Sequence, residues 1–334
     1  MPAKLDQKDR IILYEFDKNA RQPLSAIAKK ARMSREAVLY RVRGYLKEGI
    51  IRSFLTVVDM AKLGITHTKL YLKLHNTTAD EEKGLITSLV NNPMISYVGS
   101  CDGRFDLHLA IKSRSLVELN QTIMQIRAEH LVHIKEEVAA PIISANHFYR
   151  DYLLGKRGST ERRIFWGGNP KPVILDPTNM LILDLLTQDA RMTAVVIAQQ
   201  AGLSPDAVIK RIRSLESQGI IAHYMTWPDV TKLVGSYYKV HITLKNLLPE
   251  RERELTQYCL DQPNIVYIVR VLASWQLELD IETEDSTSYR KIIRDFTNRF
   301  SDIITDTNTL TVYDEHKFRF FEKECLRLQA EIKK

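Results

Sequence analysis

Arg35, Tyr40, Arg43 and Lys47 follow Ser34 at spacings that leave them on the outer side of one helix, because Val38, Val42, Tyr45 and Leu46 take the core side. Glu36 and Leu39 face outward with them. A guanidinium at position 35, near the helix start, matches the O6 and N7 acceptors of guanine, and Tyr40 suits a phosphate or a thymine methyl. Arg43, Lys47, Lys29, Lys30 and Arg32 suit phosphates, which give affinity and little sequence information. Ser34 caps the helix, and the amides exposed at its start can also hold a phosphate. Arg41 has two readings: a phosphate contact, or a pair with a carboxylate of its own domain. Glu36 reads as a partner of the helix dipole.

Other chemistry finds little support. No catalytic triad, phosphate loop or zinc spacing occurs, so no enzyme, metal or cofactor is expected. Cys101, Cys259 and Cys325 lie far apart and read as reduced thiols. The start of the chain turns charged at Lys4, Asp6 and Lys8, unlike a signal peptide. No apolar run approaches the roughly 20 residues that span a bilayer. A cytoplasmic protein without a membrane partner is expected.

Three helices must position the basic set. Asp9–Phe16 carries Ile12, Leu13 and Phe16, and Leu24–Ala31 carries Leu24, Ile27 and Ala28. The third, Arg35–Glu48, starts after Ser34 and stops at Gly49. This is a helix-turn-helix pattern, and the extended Ile50-Ile51 predicts a winged variant.

The pattern occurs twice. At an offset of 170, Leu5-Asp6, Ile12-Leu13, Ala20-Arg21, Ile27-Ala28, Ser34, Val38, Arg41, Arg43 and Gly49-Ile50-Ile51 recur as Leu175-Asp176, Ile182-Leu183, Ala190-Arg191, Ile197-Ala198, Ser204, Val208, Arg211, Arg213 and Gly219-Ile220-Ile221. Lys62-Leu63 recurs as Lys232-Leu233. The 334 residues therefore divide into two like units. The charge does not follow. Residues 1–52 hold 13 Lys/Arg and 6 Asp/Glu (+7), whereas 173–222 hold 4 and 5 (−1), so the first helix-turn-helix carries a basic excess equal to that of the whole chain, +7. In the second copy Lys210, Arg211 and Arg213 are the candidates for DNA, beside Ile209, after a helix start of Ser204, Pro205 and Asp206.

Each helix-turn-helix precedes a segment of different period. Leu70, Leu72 and Leu74 alternate with Lys69, Tyr71 and Lys73, which reads as a half-buried strand. Glu81–Val90, Ile95–Gly99, Leu107–Ile111, Ser115–Arg127 and Val132–Ile143 complete a βαββαβ order, and 238–313 repeats it. The fold class expected is α+β, a tandem repeat of a winged helix-turn-helix followed by a ferredoxin-like βαββαβ domain. The boundaries expected are 1–55, 65–150, a basic Gly/Pro linker 151–172, 173–225, 235–320 and a tail 321–334. Ile164, Phe165 and Trp166 interrupt the linker and predict that part of it docks.

This arrangement resembles the Lrp/AsnC (feast/famine) regulator family, through the residues above and Gly103-Arg104-Phe105-Asp106. A typical member has one such unit, so the chain resembles a fused dimer free to diverge between halves. The resemblance implies a sequence-specific, double-stranded-DNA-binding transcriptional regulator that forms homo-oligomers through its βαββαβ domains. It also implies a small-molecule effector, such as an amino acid, near the Gly-x-x-Asp turn. Gly99, Ser100, Asp102, Gly103 and Asp106 are the residues implied, with Asp taking an ammonium group. The alternative at the turn is a plain hairpin. The second copy has Ala273, Ser274, Trp275 and Gln276 there, without the glycine or the carboxylate.

Two rivals stay open. One is an architectural DNA-binding protein without effector. The other is an enzyme like the sirohaem decarboxylases, which would need histidines and arginines around a cavity; His67, His75, His108, His130, His133 and His147 look scattered, with His108 and His133 expected at the sheet surface or satisfied.

Overall fold

A computed structural model of the chain describes residues 2–155, 163–169 and 171–324. Cys325, the remainder of the expected tail, and residues 156–162 and 170 of the expected linker lie outside the described residues.

The first helix-turn-helix is α1 (Gln7–Lys18), α2 (Leu24–Ala31) and α3 (Arg35–Lys47); the second is α6 (Pro177–Gln188), α7 (Ala194–Ala201) and α8 (Pro205–Ser217). Local chemistry sets their ends. Asp6 and Asp9 form a capping box on α1. Ser34 Oγ accepts the Ala37 N–H at 3.1 Å, and Ser204 Oγ accepts that of Ala207 at 3.2 Å. Gly49 and Gly219 leave the helices at φ +70° and +65°, where a side chain would be strained.

The strands after these helices, β1 (Ile51–Val58) and β7 (Ile221–Pro228), pair antiparallel with each other, Thr56 opposite Tyr224. The two helix-turn-helix units therefore share one core, in which Phe16, Ile27, Val38, Ile182, Ile197 and Val208 are fully buried. Leu46, expected in that core, is 42% exposed.

In the first βαββαβ domain β2 (Thr66–Leu74), β3 (Ile95–Asp102), β4 (Leu107–Ser113) and β5 (Ile134–Phe148) order as β5-β2-β4-β3, with α4 (Ala79–Asn91) and α5 (Leu116–His130) packed on one face. The second uses β8 (Ser236–Leu244), β9 (Ile265–Val271), β10 (Leu277–Thr283) and β11 (Ile304–Phe318), ordered β11-β8-β10-β9, with α9 (Pro249–Asp261) and α10 (Ser286–Arg299). Each sheet joins the other at both edges. The far half of β11 pairs with β3, and the far half of β5 pairs with β9. Eight strands thus form a closed ring, which leaves no open edge between the copies. The α+β tandem expected from the sequence is the one observed. Beside the ring, β6 (Arg163–Gly167) adds to β5, so Ile164 and Trp166 dock as expected. Past β11, Phe320 and Phe321 enter the helix-turn-helix core.

Closure changes the meaning of the strand pattern. Lys69 and Tyr71 belong to the polar face of a strand read as half-buried, yet Lys69 is 8% exposed and Tyr71 is fully buried. Their face looks at the other sheet and not at water.

Candidate nucleic-acid interface and the interior between the sheets

Arg35, Tyr40, Arg43 and Lys47 lie exposed along α3, with Tyr40 80% exposed. Lys29 lies in the last turn of α2 and Arg32 caps that helix in the left-handed region, φ 51°, so both are exposed near the turn that leads into α3. Lys30 is half exposed and pairs with Glu15 at 2.5 Å. Together these place a run of cations on one face of a capped helix.

Arg41 leaves that set. Its guanidinium donates to Asp6 at 2.8 Å and to Asp9, and the Tyr45 hydroxyl also donates to Asp9, at 2.6 Å. The Asp9 N–H, joined by Arg41, holds the Asp6 carboxyl below the usual range. Arg211 repeats this role, donating to Asp176 at 2.8 Å and to Asn179 at 3.0 Å. Both arginines tie the recognition helix to the first helix of their own unit and do not face outward as free cations.

The second unit keeps the frame and loses the charge. At the positions of Lys29, Lys30, Arg32, Arg35 and Lys47 it has Gln199, Gln200, Gly202, Pro205 and Ser217. Lys210 and Arg213 remain exposed on α8, beside Ile209.

The units hold one another reciprocally. Arg21 donates to the carbonyl of Met192 at 3.0 Å and also to that of Ala190, while Arg191 donates to those of Ala20 and, at 3.3 Å, Gln22. The recurring Ala-Arg pair of the sequence is thus a contact between copies.

At the Gly-x-x-Asp turn the structure builds a hairpin. Asp106 accepts the Leu74 N–H at 2.6 Å and pairs with Lys73 at 2.7 Å. Gln276 does the same work in the second copy, accepting the Leu244 N–H at 2.8 Å. Asp102 accepts the Gly103 N–H at 2.9 Å, and Gly103 turns at φ +131° against the Thr309 carbonyl. Gly99 and Ser100 are buried away from the turn. Ser100 Oγ lies 2.8 Å from His316 Nε2, and a Cβ on Gly99 would meet the His108 and Tyr97 rings at 2.6 Å. Both positions are taken up by these internal contacts. Asp102 and Asp106 do line a surface pocket with Glu82 and Tyr313.

The interior between the sheets was not anticipated. Lys69 pairs across it with Glu278, Lys239 pairs with Asp280, and Arg150 forks onto Glu282 through two 2.8 Å bonds while also holding Asp17 at 2.6 Å. His241 stacks on Trp275 at 4.1 Å, and burial pushes its pKa down to about 4. His108, expected at the surface or satisfied, is 2% exposed with a partner on neither ring nitrogen among the described residues. Its pKa is driven well below the ordinary value by burial. The alternation Leu277, Glu278, Leu279, Asp280, Ile281, Glu282 was the available signal. It is read as a wet face unless a second sheet is known to cover it.

Comparison with known proteins matches residues 5–44 to the AsnC-type helix-turn-helix domain and residues 175–222 to a winged helix-turn-helix DNA-binding model. A helix-turn-helix transcriptional regulator of Mycobacterium tuberculosis is 31% identical over 127 residues, 37% of this chain and 84% of that protein. The proline dehydrogenase transcriptional activator of Rhodobacter capsulatus is 27% identical over 135 residues, 40% of this chain and 87% of that protein. Among solved structures, the siroheme decarboxylase NirDL matches with a TM-score of 0.62 at 12% identity, over 98% of each chain. That likeness is one of fold, and it extends to the tandem arrangement.

Proposed function

The chain belongs to the Lrp/AsnC family of DNA-binding transcription regulators, as two units where each of those relatives matches one, and from that premise we propose that it grips DNA asymmetrically, with the first helix-turn-helix supplying most of the affinity. The observation that carries this is the replacement of five cations, Lys29, Lys30, Arg32, Arg35 and Lys47, by uncharged residues on the same frame. Phosphate contacts supply most non-specific binding energy, so their loss leaves the second unit to read DNA only once tethered. Arg35 and Tyr40 are the base-facing residues and Arg43, Lys47, Lys29 and Arg32 the phosphate-facing ones. Association into homo-oligomers through the outer faces of the βαββαβ domains belongs to the same reading.

An amino-acid effector fits the surface pocket of Asp102, Asp106, Glu82 and Tyr313 in the first copy. Asp106 is already held by Lys73, which leaves Asp102 and Glu82 as the carboxylates for an ammonium group. Calorimetry against the twenty amino acids tests this; no heat with any of them refutes it. A genome-wide binding map separates a regulator, with a few sharp promoter peaks, from an architectural protein with broad coverage.

A second reading, an enzyme of the siroheme decarboxylase kind, draws on the whole-chain likeness in fold and on the half-buried His67 and the buried His108 at one chamber. Against it, each of the three Lys and Arg side chains lining that chamber is committed to a carboxylate. A tetrapyrrole polycarboxylate therefore finds no idle cation there. Titration with iron uroporphyrin decides: a saturable one-to-one shift of its Soret band would favour the enzyme.

A further inference from the structure

The helices α5 and α10 hold equivalent places on the two βαββαβ domains and differ in their outer faces. On α5 the outward Leu116, Val117 and Met124, with Leu131 and Val132 just past its end, are between 49% and 78% exposed. Leu131 keeps helical backbone, φ −52° and ψ −38°, so it continues the stripe. Val117, Met124 and Leu131 recur at intervals of seven, which places them along one line of the helix. Leu119, Thr122 and Ile126 are buried on its other side. A contiguous apolar stripe open to water marks an interaction surface.

The stripe is symmetric about Met124. Val117 and Leu131 lie seven residues to either side of it, and Leu116 and Val132 lie eight. Laid antiparallel on a copy of itself, with the twofold at Met124, the helix sets Met124 on Met124, Val117 on Leu131 and Leu116 on Val132. Every large apolar side chain of the stripe then meets another, which is the self-complementarity a twofold contact requires. The polar residues of the face agree, since Asn120 falls on Ala128 and Gln121 on Arg127, with no like-charge pair. Antiparallel pairing also sets the N-terminal end of one helix dipole beside the C-terminal end of the other.

The second copy lacks the stripe. At the five positions it has Ser286, Thr287, Arg294, Ser301 and Asp302, and it has Arg290 and Lys291 in place of Asn120 and Gln121. All seven are exposed. A copy laid on this face would bring Arg294 against Arg294 beside further cations, and like charges repel.

We propose that two chains pair through α5 of the first copy, helix against helix about a twofold at Met124, and that assembly stops at two chains because α10 offers no second contact. The pairing rests on the association through outer domain faces proposed above and confines it to one copy. Two chains joined in this way carry two basic helix-turn-helix units where one chain has one. The 15 residues of α5 span about 22 Å. The contact is therefore at the small end of specific interfaces, near about 1,000 Å² in total, and pairing is expected at micromolar concentrations.

The test uses the full chain in sedimentation velocity, from about 1 to about 100 µM. A monomer–dimer equilibrium without larger species is expected. Met124→Arg is expected to weaken it at least tenfold, and Arg294→Ala to leave it unchanged. Oxidised Met124→Cys is expected to join two chains by a disulfide, because the two side chains meet at the axis; the parent chain, whose Cys101 and Cys259 are buried, is the control. Leu116→Cys alone is not expected to join, since its own counterpart lies about 24 Å along the helix, but it is expected to join a Val132→Cys chain. Arg43→Glu is expected to pair normally while losing DNA, so failure of the pairing and failure of the DNA grip are read separately. A monomer at every concentration, growth beyond two chains, or disulfide formation as fast at Leu116→Cys as at Met124→Cys would overturn the proposal. So would a dimer that Met124→Arg does not weaken, which would leave association through another face in place.

Discussion

Lys232 of the second unit donates its ammonium to the carbonyl of Glu48, 3.0 Å away, at the C-terminal end of the first unit's recognition helix. Lys62 mirrors it on Gln218 at 2.6 Å. A cation at a helix C-terminus satisfies an orphan carbonyl and the helix dipole together. Each recognition helix is thus closed by the opposite copy, and Gly49 and Gly219 leave room for the incoming lysines. The two helices are held as one body.

The arginine clasp gives this claim a stability test. Replacing Arg21 or Arg191 by Ala removes charge-assisted bonds to carbonyls of the opposite copy, each variant being expected to lose about 1.5–3 kcal/mol. Urea unfolding of each variant measures it. Values near zero for both would mean that the copies do not depend on the clasp.

The hairpin residues separate structure from ligand. Asp106 and Gln276 accept equivalent backbone N–H groups, so Asp106→Ala and Gln276→Ala are expected to destabilise alike, by about 1–3 kcal/mol. Thermal unfolding of both checks this. A large loss for Gln276→Ala with none for Asp106→Ala would remove the shared hairpin role.

Glu315 makes stability depend on pH. Burial raises its pKa to about 7. The folded state therefore holds a proton that the unfolded state releases from the ordinary value of 4.5 upward. The sign follows: the contribution of Glu315 is most favourable at low pH and declines as pH rises from 4.5 through 7. Glu315→Gln removes this dependence, and its gain over the parent chain is expected to grow between pH 5 and pH 8, up to about 3 kcal/mol. Melting temperatures of the pair at both pH values measure it. A gain that stays constant or shrinks would contradict a buried, proton-sensitive carboxyl.

Much of the frame could be read from residue types alone. The offset of 170 and the caps Ser34 and Ser204 locate the helices, and the period-two alternation locates the strands. The purpose of several repeated residues could not be read. Arg21, Arg191, Lys62 and Lys232 recur because they meet across a pseudo-twofold interface, while Arg41 and Arg211 recur because each binds an acidic or amide side chain of its own unit. A repeat alone cannot tell these cases apart. The chamber was hidden for a related reason. Alternation reveals that a strand has two faces, but not that Glu278 and Asp280 look into a second sheet. At position 106 the carboxylate looked like a ligand group, whereas Gln276 shows that its main-chain bond needs only an acceptor.

The asymmetric grip is tested most directly by mobility shift on one operator fragment at fixed salt. Charge reversal at Arg35 and Arg43 is expected to abolish binding, and the same reversal at Lys210 and Arg213 to weaken it far less. Equal losses in the two double variants would contradict the account.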